Sequence, residues 1–229
     1  MTDRRIEKGM AAQRRLREAR LAAGDSLAGW KVAFGTPEGM KRLGITAPLV
    51  GFLTRRAGLE SGAELALADF TQPLVEPEIA VLMGDRLAPG AGPASIAAAI
   101  AGIGPALEIA DLDSPPSDPE IVLAGDIYQR HWIIGPIDHG RAGARLDGLV
   151  ARIHSDGKLT AETAEPDAAT GDLIAIVGHV ANSLARVGDR LEAGQIIICG
   201  SIVPPFFIGT ATEISYALGD IGEISVRFR

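Results

Sequence analysis

Three observations predict an α+β fold in which short strands outnumber helices. Val, Ile and Leu recur in brief apolar runs, 28 glycines and 14 prolines punctuate those runs, and only three stretches carry helical spacing. The regular strand–helix alternation of a doubly wound sheet is absent. A chain of 229 residues can bury its core as one domain. The organisation read here is an N-terminal helical segment, 1–28, followed by a single domain, 29–229.

In the first helix Ala12, Leu16, Ala19 and Ala23 share a face ahead of a stop at Gly24. Arg4, Arg5, Lys8, Arg14, Arg15, Arg17 and Arg20 make the rest of it basic. A docked helix with a solvated basic face is expected, in preference to a transit peptide or a membrane-surface helix. Strands are expected over 29–34, 73–83, 104–110, 121–123, 131–134, 149–154, 195–199 and 223–228, each bounded by Gly, Pro, Asp or Ser. A second helix is expected over 95–103, after a Gly-Pro turn. A third is expected over 171–187, where Leu173, Ile176, Val177, Val180, Leu184 and Val187 align before Gly188. The Pro-, Ser- and Asp-rich stretch 111–119 reads as a loop placed to form a lip over a site.

Composition removes several function classes. A formal net charge of −7 and 4% aromatic residues disfavour a basic, base-stacking nucleic-acid surface. The most apolar stretch, 94–110, is broken by Gly102, Gly104 and Pro105 and carries Glu108, so it makes a poor membrane span. Cys199 is the sole cysteine, which rules out an internal disulfide and fits a reducing, cytoplasmic setting. Short strands with open edges predict a homo-oligomer.

Chemistry-bearing residues cluster in three segments. In Val75-Glu76-Pro77-Glu78-Ile79, strand alternation projects both carboxylates from one face, where they repel unless a cation joins them. A hard ion such as Mg²⁺ accepts two carboxylates and keeps positions open; an exposed strand face is the alternative. Pro77 cannot donate to a ladder and favours an edge or a bulge. Glu108, in Ala106-Leu107-Glu108-Ile109, lies opposite two apolar neighbours and needs either an arginine or a metal. Lys31, in Trp30-Lys31-Val32-Ala33, points away from Trp30 and Val32, either into a pocket as a proton donor or anion binder or out to solvent. None of the four histidines, His131, His139, His154 and His179, forms a metal-like pair, which disfavours zinc.

In order and spacing these segments resemble the 2-keto-4-pentenoate hydratase and 2-oxo-3-hexenedioate decarboxylase family of the fumarylacetoacetate hydrolase superfamily. The resemblance rests on Gly29-Trp30-Lys31-Val32, Leu43-Gly44 with Gly51-Phe52-Leu53, Val75 to Ala80, Pro105 to Ile109 with Asp111, Val180 to Ala185, and Gly194 through Gly200-Ser201. It implies a β-rich mixed β-roll or barrel like the hydrolase C-terminal domain, with a few peripheral helices. It also implies Mg²⁺ or Mn²⁺ on Glu76, Glu78 and Glu108, Lys31 near a small-molecule 2-oxo acid substrate, and Ser201 in the pocket wall. The activity implied is hydration of a 2-hydroxy-2,4-dienoate to a 4-hydroxy-2-oxo acid. Decarboxylation of a 2-oxo-3-enedioate and carbon–carbon hydrolysis of an acylpyruvate are the alternatives, and a noncatalytic auxiliary subunit is a reading from another class. Where many relatives are acidic, Thr54-Arg55-Arg56 follows Leu53, so Arg55 is a candidate for binding a second substrate carboxylate. The Asp126–His131 segment and a short N-terminal region also depart from the family pattern.

Overall fold

The computed structural model describes residues 3–210 and 212–229; residues 1 and 2 of the expected 1–28 segment lie outside the described residues. The helices are α1 (Arg4–Ala22), α2 (Pro37–Leu43), α3 (Pro93–Ala99), α4 (Pro119–Ala124) and α5 (Leu173–Arg186). The strands are β1 (Leu27–Ala33), β2 (Leu49–Thr54), β3 (Gly58–Leu59), β4 (Ala63–Leu65), β5 (Pro73–Met83), β6 (Ile100–Asp111) and β7 (Gln129–Ile134). They continue with β8 (Ala151–Ser155), β9 (Lys158–Thr163), β10 (Ile196–Ser201), β11 (Phe206–Phe207), β12 (Glu213–Leu218) and β13 (Gly222–Phe228). Among the described residues no helix is long and apolar enough to cross a membrane.

One sheet runs β2-β1-β10-β5-β6-β7-β3, with β11 beside β5, and it curls into a half-barrel. The other runs β4-β13-β12-β8-β9. Alternation sorts the first sheet's side chains by size. Trp30, Phe52, Ile79, Leu107 and Ile109 pack toward Ile153, Tyr216, Ile224 and Val226 of the second sheet, forming the main core with α5. The opposite face holds the small cluster Ala28, Ala80 and Ala106 with Leu53 and Ile198. That face also carries the three glutamates and Lys31, so small neighbours leave space above the polar groups.

Several elements differ from expectation for identifiable reasons. Helix α1 buries Gly9, Gln13 and Arg17, not the Ala12/Leu16/Ala19/Ala23 stripe. Its docking is polar: Gln13 donates to the Val50 carbonyl at 3.2 Å, and Arg17 lies 5.0 Å over Trp30 while bonding Asp189 at 2.6 Å. Residues 121–123 are helical in α4, not a strand, because Asp118 caps the Glu120 N–H and Pro119 sits in the first turn. Helix α3 stops at Ala99, and 100–103 begin β6, where a Cβ at Gly102 would approach the Asp138 carbonyl to 2.7 Å. Pro77 lies in a central strand: its carbonyl accepts the Ile202 N–H at 2.9 Å, so its missing N–H faces the irregular gap between β10 and β11.

Candidate metal and acid–base site

The β5–β6 ladder sets Glu76 opposite Glu108 and Glu78 opposite Ala106, which places all three carboxylates on one face. One oxygen from each lies within 4.8 Å of the others. Glu78 is fixed from the side, since its Oε2 accepts the Gly200 N–H at 2.6 Å. Gly200 presents that N–H from a left-handed backbone with φ +97°, which explains the glycine of the Gly200-Ser201 pair. Lys31 arrives from β1, two strands away from β5. Its Nζ donates to Glu108 Oε1 and, at 3.1 Å, to the Ile127 carbonyl. Room for its stem comes from Gly51, where a Cβ would sit 2.8 Å from Lys31 Cγ.

Lys31 is 1% exposed, Glu78 1% and Glu108 0%, while Glu76 opens partly to the cavity. Burial pushes the Glu76 carboxyl up to about 7, and the Glu108 charge adds to that rise against the pull of Lys31. Burial likewise raises Glu78 and Glu108, with Lys31 opposing. For Lys31 itself burial disfavours the ammonium, but Glu108, Glu76 and Glu78 outweigh it and the net direction is upward. Three carboxylates thus face one ammonium, and Glu108 Oε2 is buried without a hydrogen-bond partner. All-oxygen donors, a surplus of negative charge and an orphaned carboxylate oxygen fit a hard divalent cation such as Mg²⁺ or Mn²⁺.

Above this floor opens a cavity of about 600 Å³ walled largely by apolar groups, among them Phe34, Leu74, Ile176, Pro204 and Phe207. Lys31, Glu76, Glu78 and Ser201 line it, as do Leu112 and Pro116 of the expected lip. Ser201 Oγ donates to the Val203 carbonyl at 2.7 Å and so braces the wall. Arg55 is not among the lining residues; it sits exposed in the 3-10 turn after β2. Sequence reasoning passed over Arg42 and gave Tyr128 only as part of the departing Asp126–His131 segment, and both line the cavity. Arg42 comes from α2, whose Thr36 cap and Pro37 start were a readable signal.

Asp126, which heads the departing Asp126–His131 segment but was assigned no role from sequence, is 0% exposed. Burial drives its carboxyl up to about 7, against the lowering pull of the Phe52 N–H, Lys31 and Arg20. From its ordinary 3.8 up to about 7, the folded chain keeps a proton that the unfolded chain has released. Stability therefore falls as pH rises through that window. Asp126→Asn is expected to lose this slope and to gain, relative to wild type, on the order of 3 kcal/mol between about pH 4 and about pH 8. Urea unfolding of both proteins across the range measures the gain, and parallel pH profiles would contradict it.

No family model matches the chain. A 4-oxalocrotonate decarboxylase from Pseudomonas sp. is 27% identical over 223 residues, covering 96% of this chain and 86% of the relative. A 2-hydroxyhexa-2,4-dienoate hydratase from Comamonas testosteroni is 27% identical over 221 residues, 93% of this chain and 81% of the relative. In three dimensions the chain superposes on the 4-oxalocrotonate decarboxylase from Pseudomonas putida G7, complexed with magnesium and adipate. That match has a TM-score of 0.86 at 25% identity and covers 95% of this chain and 83% of the other. Along nearly its whole length and in its fold, the chain is thus similar to 2-keto-4-pentenoate hydratases and 4-oxalocrotonate decarboxylases.

Proposed function

We propose that the protein is a divalent-metal-dependent lyase that hydrates a 2-hydroxy-2,4-dienoate to a 4-hydroxy-2-oxo acid. One observation carries this reading: three carboxylates gathered within 4.8 Å and paired with a buried lysine, with Glu76, Glu78 and that lysine lining an apolar cavity. Glu76, Glu78 and Glu108 would hold Mg²⁺ or Mn²⁺, which when bound supplies Lewis-acid polarisation of the oxygens of a 2-oxo acid. Lys31 keeps its proton because three carboxylates support it against burial. With their charge neutralised, burial dominates and the ammonium becomes a stronger acid, suited to protonate C5 of the dienol as it ketonises. Water then adds at C4 of the resulting enone. Ser201 shapes the wall near the reacting end, and the apolar walls exclude bulk water from the rest of the chain of the substrate. We further read the enzyme as a cytoplasmic homo-oligomer whose residues 29–229 form the catalytic unit.

Decarboxylation of a 2-oxo-3-enedioate is the second reading, and Arg42 favours it. Among the described residues it is, besides Lys31, the only cation lining the cavity, and it has no carboxylate within ion-pair distance. A second substrate carboxylate would meet it at the rim, the role the sequence assigned to Arg55. Acylpyruvate hydrolysis calls for a histidine at the site, and none of the four histidines lines this cavity. Nor does an auxiliary subunit need these charges gathered and buried.

A product assay with Mg²⁺ across 2-hydroxydienoates, 2-oxo-enedioates and acylpyruvates tests the assignment. Hydration products are expected; CO₂ release in their place selects the decarboxylase, and pyruvate release the hydrolase. If Arg42 reads a second carboxylate, Arg42→Gln lowers kcat/KM for the dicarboxylic substrate about tenfold and spares the monocarboxylic one. Equal losses on both would remove Arg42 from substrate selection.

A further inference from the structure

Asp126, Ile127 and Tyr128 form a run of three successive non-glycine residues in the left-handed region, with φ values of 59°, 54° and 62°. Such a conformation costs free energy at each position, most of all at the β-branched Ile127, and persists only where its surroundings enforce it. Asp126 alone suffices to close helix α4 as a left-handed cap, its N–H returning to the Leu123 carbonyl at 3.0 Å and the Ile127 N–H to the Val122 carbonyl at 2.8 Å; the cap needs no further left-handed residue, yet Ile127 and Tyr128 continue the run. What the run accomplishes is to turn the Ile127 carbonyl toward Lys31, which donates to it at 3.1 Å, and to bring Tyr128 to the cavity wall.

The side chain that ties this run to the sheet is Asp126. Its Oδ1 accepts the Phe52 N–H of β2 at 2.9 Å, and its Oδ2 lies 3.5 Å from the Arg20 guanidinium. Arg20 is itself seated 5.1 Å over the Phe52 ring, so α1, β2 and the run meet at one carboxylate. The same carboxylate borders Lys31: a Cβ at Gly51 would lie 2.8 Å from Lys31 Cγ and 3.0 Å from Asp126 Oδ1. Glycine at 51 lets the two side chains share that space.

We propose that Asp126 is a positioning residue for Lys31: anchored by the Phe52 N–H and by Arg20 of the N-terminal helix, it holds the left-handed 126–128 turn that presents the Ile127 carbonyl to the Lys31 ammonium. The consequence for turnover rests on the function proposed above; the placement of Lys31 does not.

The ammonium can be observed directly. The chain has four lysines, and Lys8, Lys41 and Lys158 are exposed, so in ¹⁵N-labelled protein only the Lys31 ammonium is shielded enough for slow proton exchange. Its ¹H–¹⁵Nζ signal is assigned by its disappearance in Lys31→Met. Asp126→Gly adopts a positive φ freely but offers nothing to the Phe52 N–H, whereas Asp126→Asn keeps an acceptor and tolerates the same backbone. Asp126→Asn is expected to keep the signal and kcat within about threefold of wild type. Asp126→Gly is expected to shift or broaden the signal and to lower kcat by about ten- to a hundredfold with KM little changed. A role confined to folding would lower the melting temperature of Asp126→Gly and leave the Lys31 signal in place below it, and that result overturns the proposal. Should Asp126→Gly fail to fold, Asp126→Asn decides: loss of the signal in the folded variant overturns the proposal, and retention of signal and kcat supports it. If wild type acts on none of the dienoates or enedioates, the proposed function fails while the ammonium signal still settles the placement of Lys31.

Discussion

Saturating Mg²⁺ or Mn²⁺ is expected to raise the melting temperature of the wild-type protein, and Glu76→Ala or Glu108→Ala to abolish that rise together with turnover. An ion present at about 100 times its Kd stabilises by about 2.7 kcal/mol, which for a chain of this length corresponds to about 5–10 °C. The two variants are complementary. Glu108 is hydrogen-bonded to Lys31, so its loss also strands an ammonium in the interior. Glu76 makes no such bond and opens partly to the cavity, so its removal leaves the Lys31–Glu108 pair standing and isolates the effect of one ligand. An unchanged thermal shift in either variant, measured by calorimetry with and without the ion, would remove that glutamate from the metal site.

Lys31→Met is expected to lower kcat by about 10²–10⁴-fold while the metal-induced thermal shift persists. Methionine matches much of the lysine stem and can fill the buried channel beside Gly51, so the substitution removes the ammonium with little change in packing. In free-energy terms the loss is about 3–5 kcal/mol of transition-state stabilisation. Wild-type turnover in this variant would exclude Lys31 from the proton step. Loss of the metal shift along with turnover would mean that Lys31 organises the carboxylates and is not a dedicated donor.

Much of the site was legible because strands expose their chemistry by parity. Glu76 and Glu78 stand two apart in an apolar run, Glu108 stands alone in another, and Lys31 alternates with Trp30 and Val32; each pattern reports a face without any tertiary information. The turn-bounded apolar run also located β5 over the same 73–83 that the structure shows. It does not report which strands become neighbours. Lys31 reaches Glu108 only because β10, from the far end of the chain, inserts between β1 and β5.

Illegible features share a cause: tertiary partners overrode local composition. Helix α1 docks through Gln13 and Arg17 because the Val50 carbonyl, Trp30 and Asp189 wait for them, while its Ala/Leu stripe stays partly exposed. Residues 121–123 are β-branched and leucine-rich, yet the Asp118-Pro119 start makes them helical. Arg55 looked like an anion anchor from its place after Leu53, but β2 ends before it and the turn carries it outward, whereas Arg42 is delivered to the cavity by α2. Asp126 gave no periodic signal, since its importance lies in backbone dihedrals that no spacing encodes.

The central claim is that Glu76, Glu78 and Glu108 jointly hold one divalent cation beside Lys31. Anomalous diffraction at the manganese edge from crystals grown with Mn²⁺ tests it most directly. One strong peak bonded to an oxygen of each of the three glutamates is expected. A peak elsewhere, or no peak at this cluster in crystals whose solution binds Mn²⁺, would contradict it.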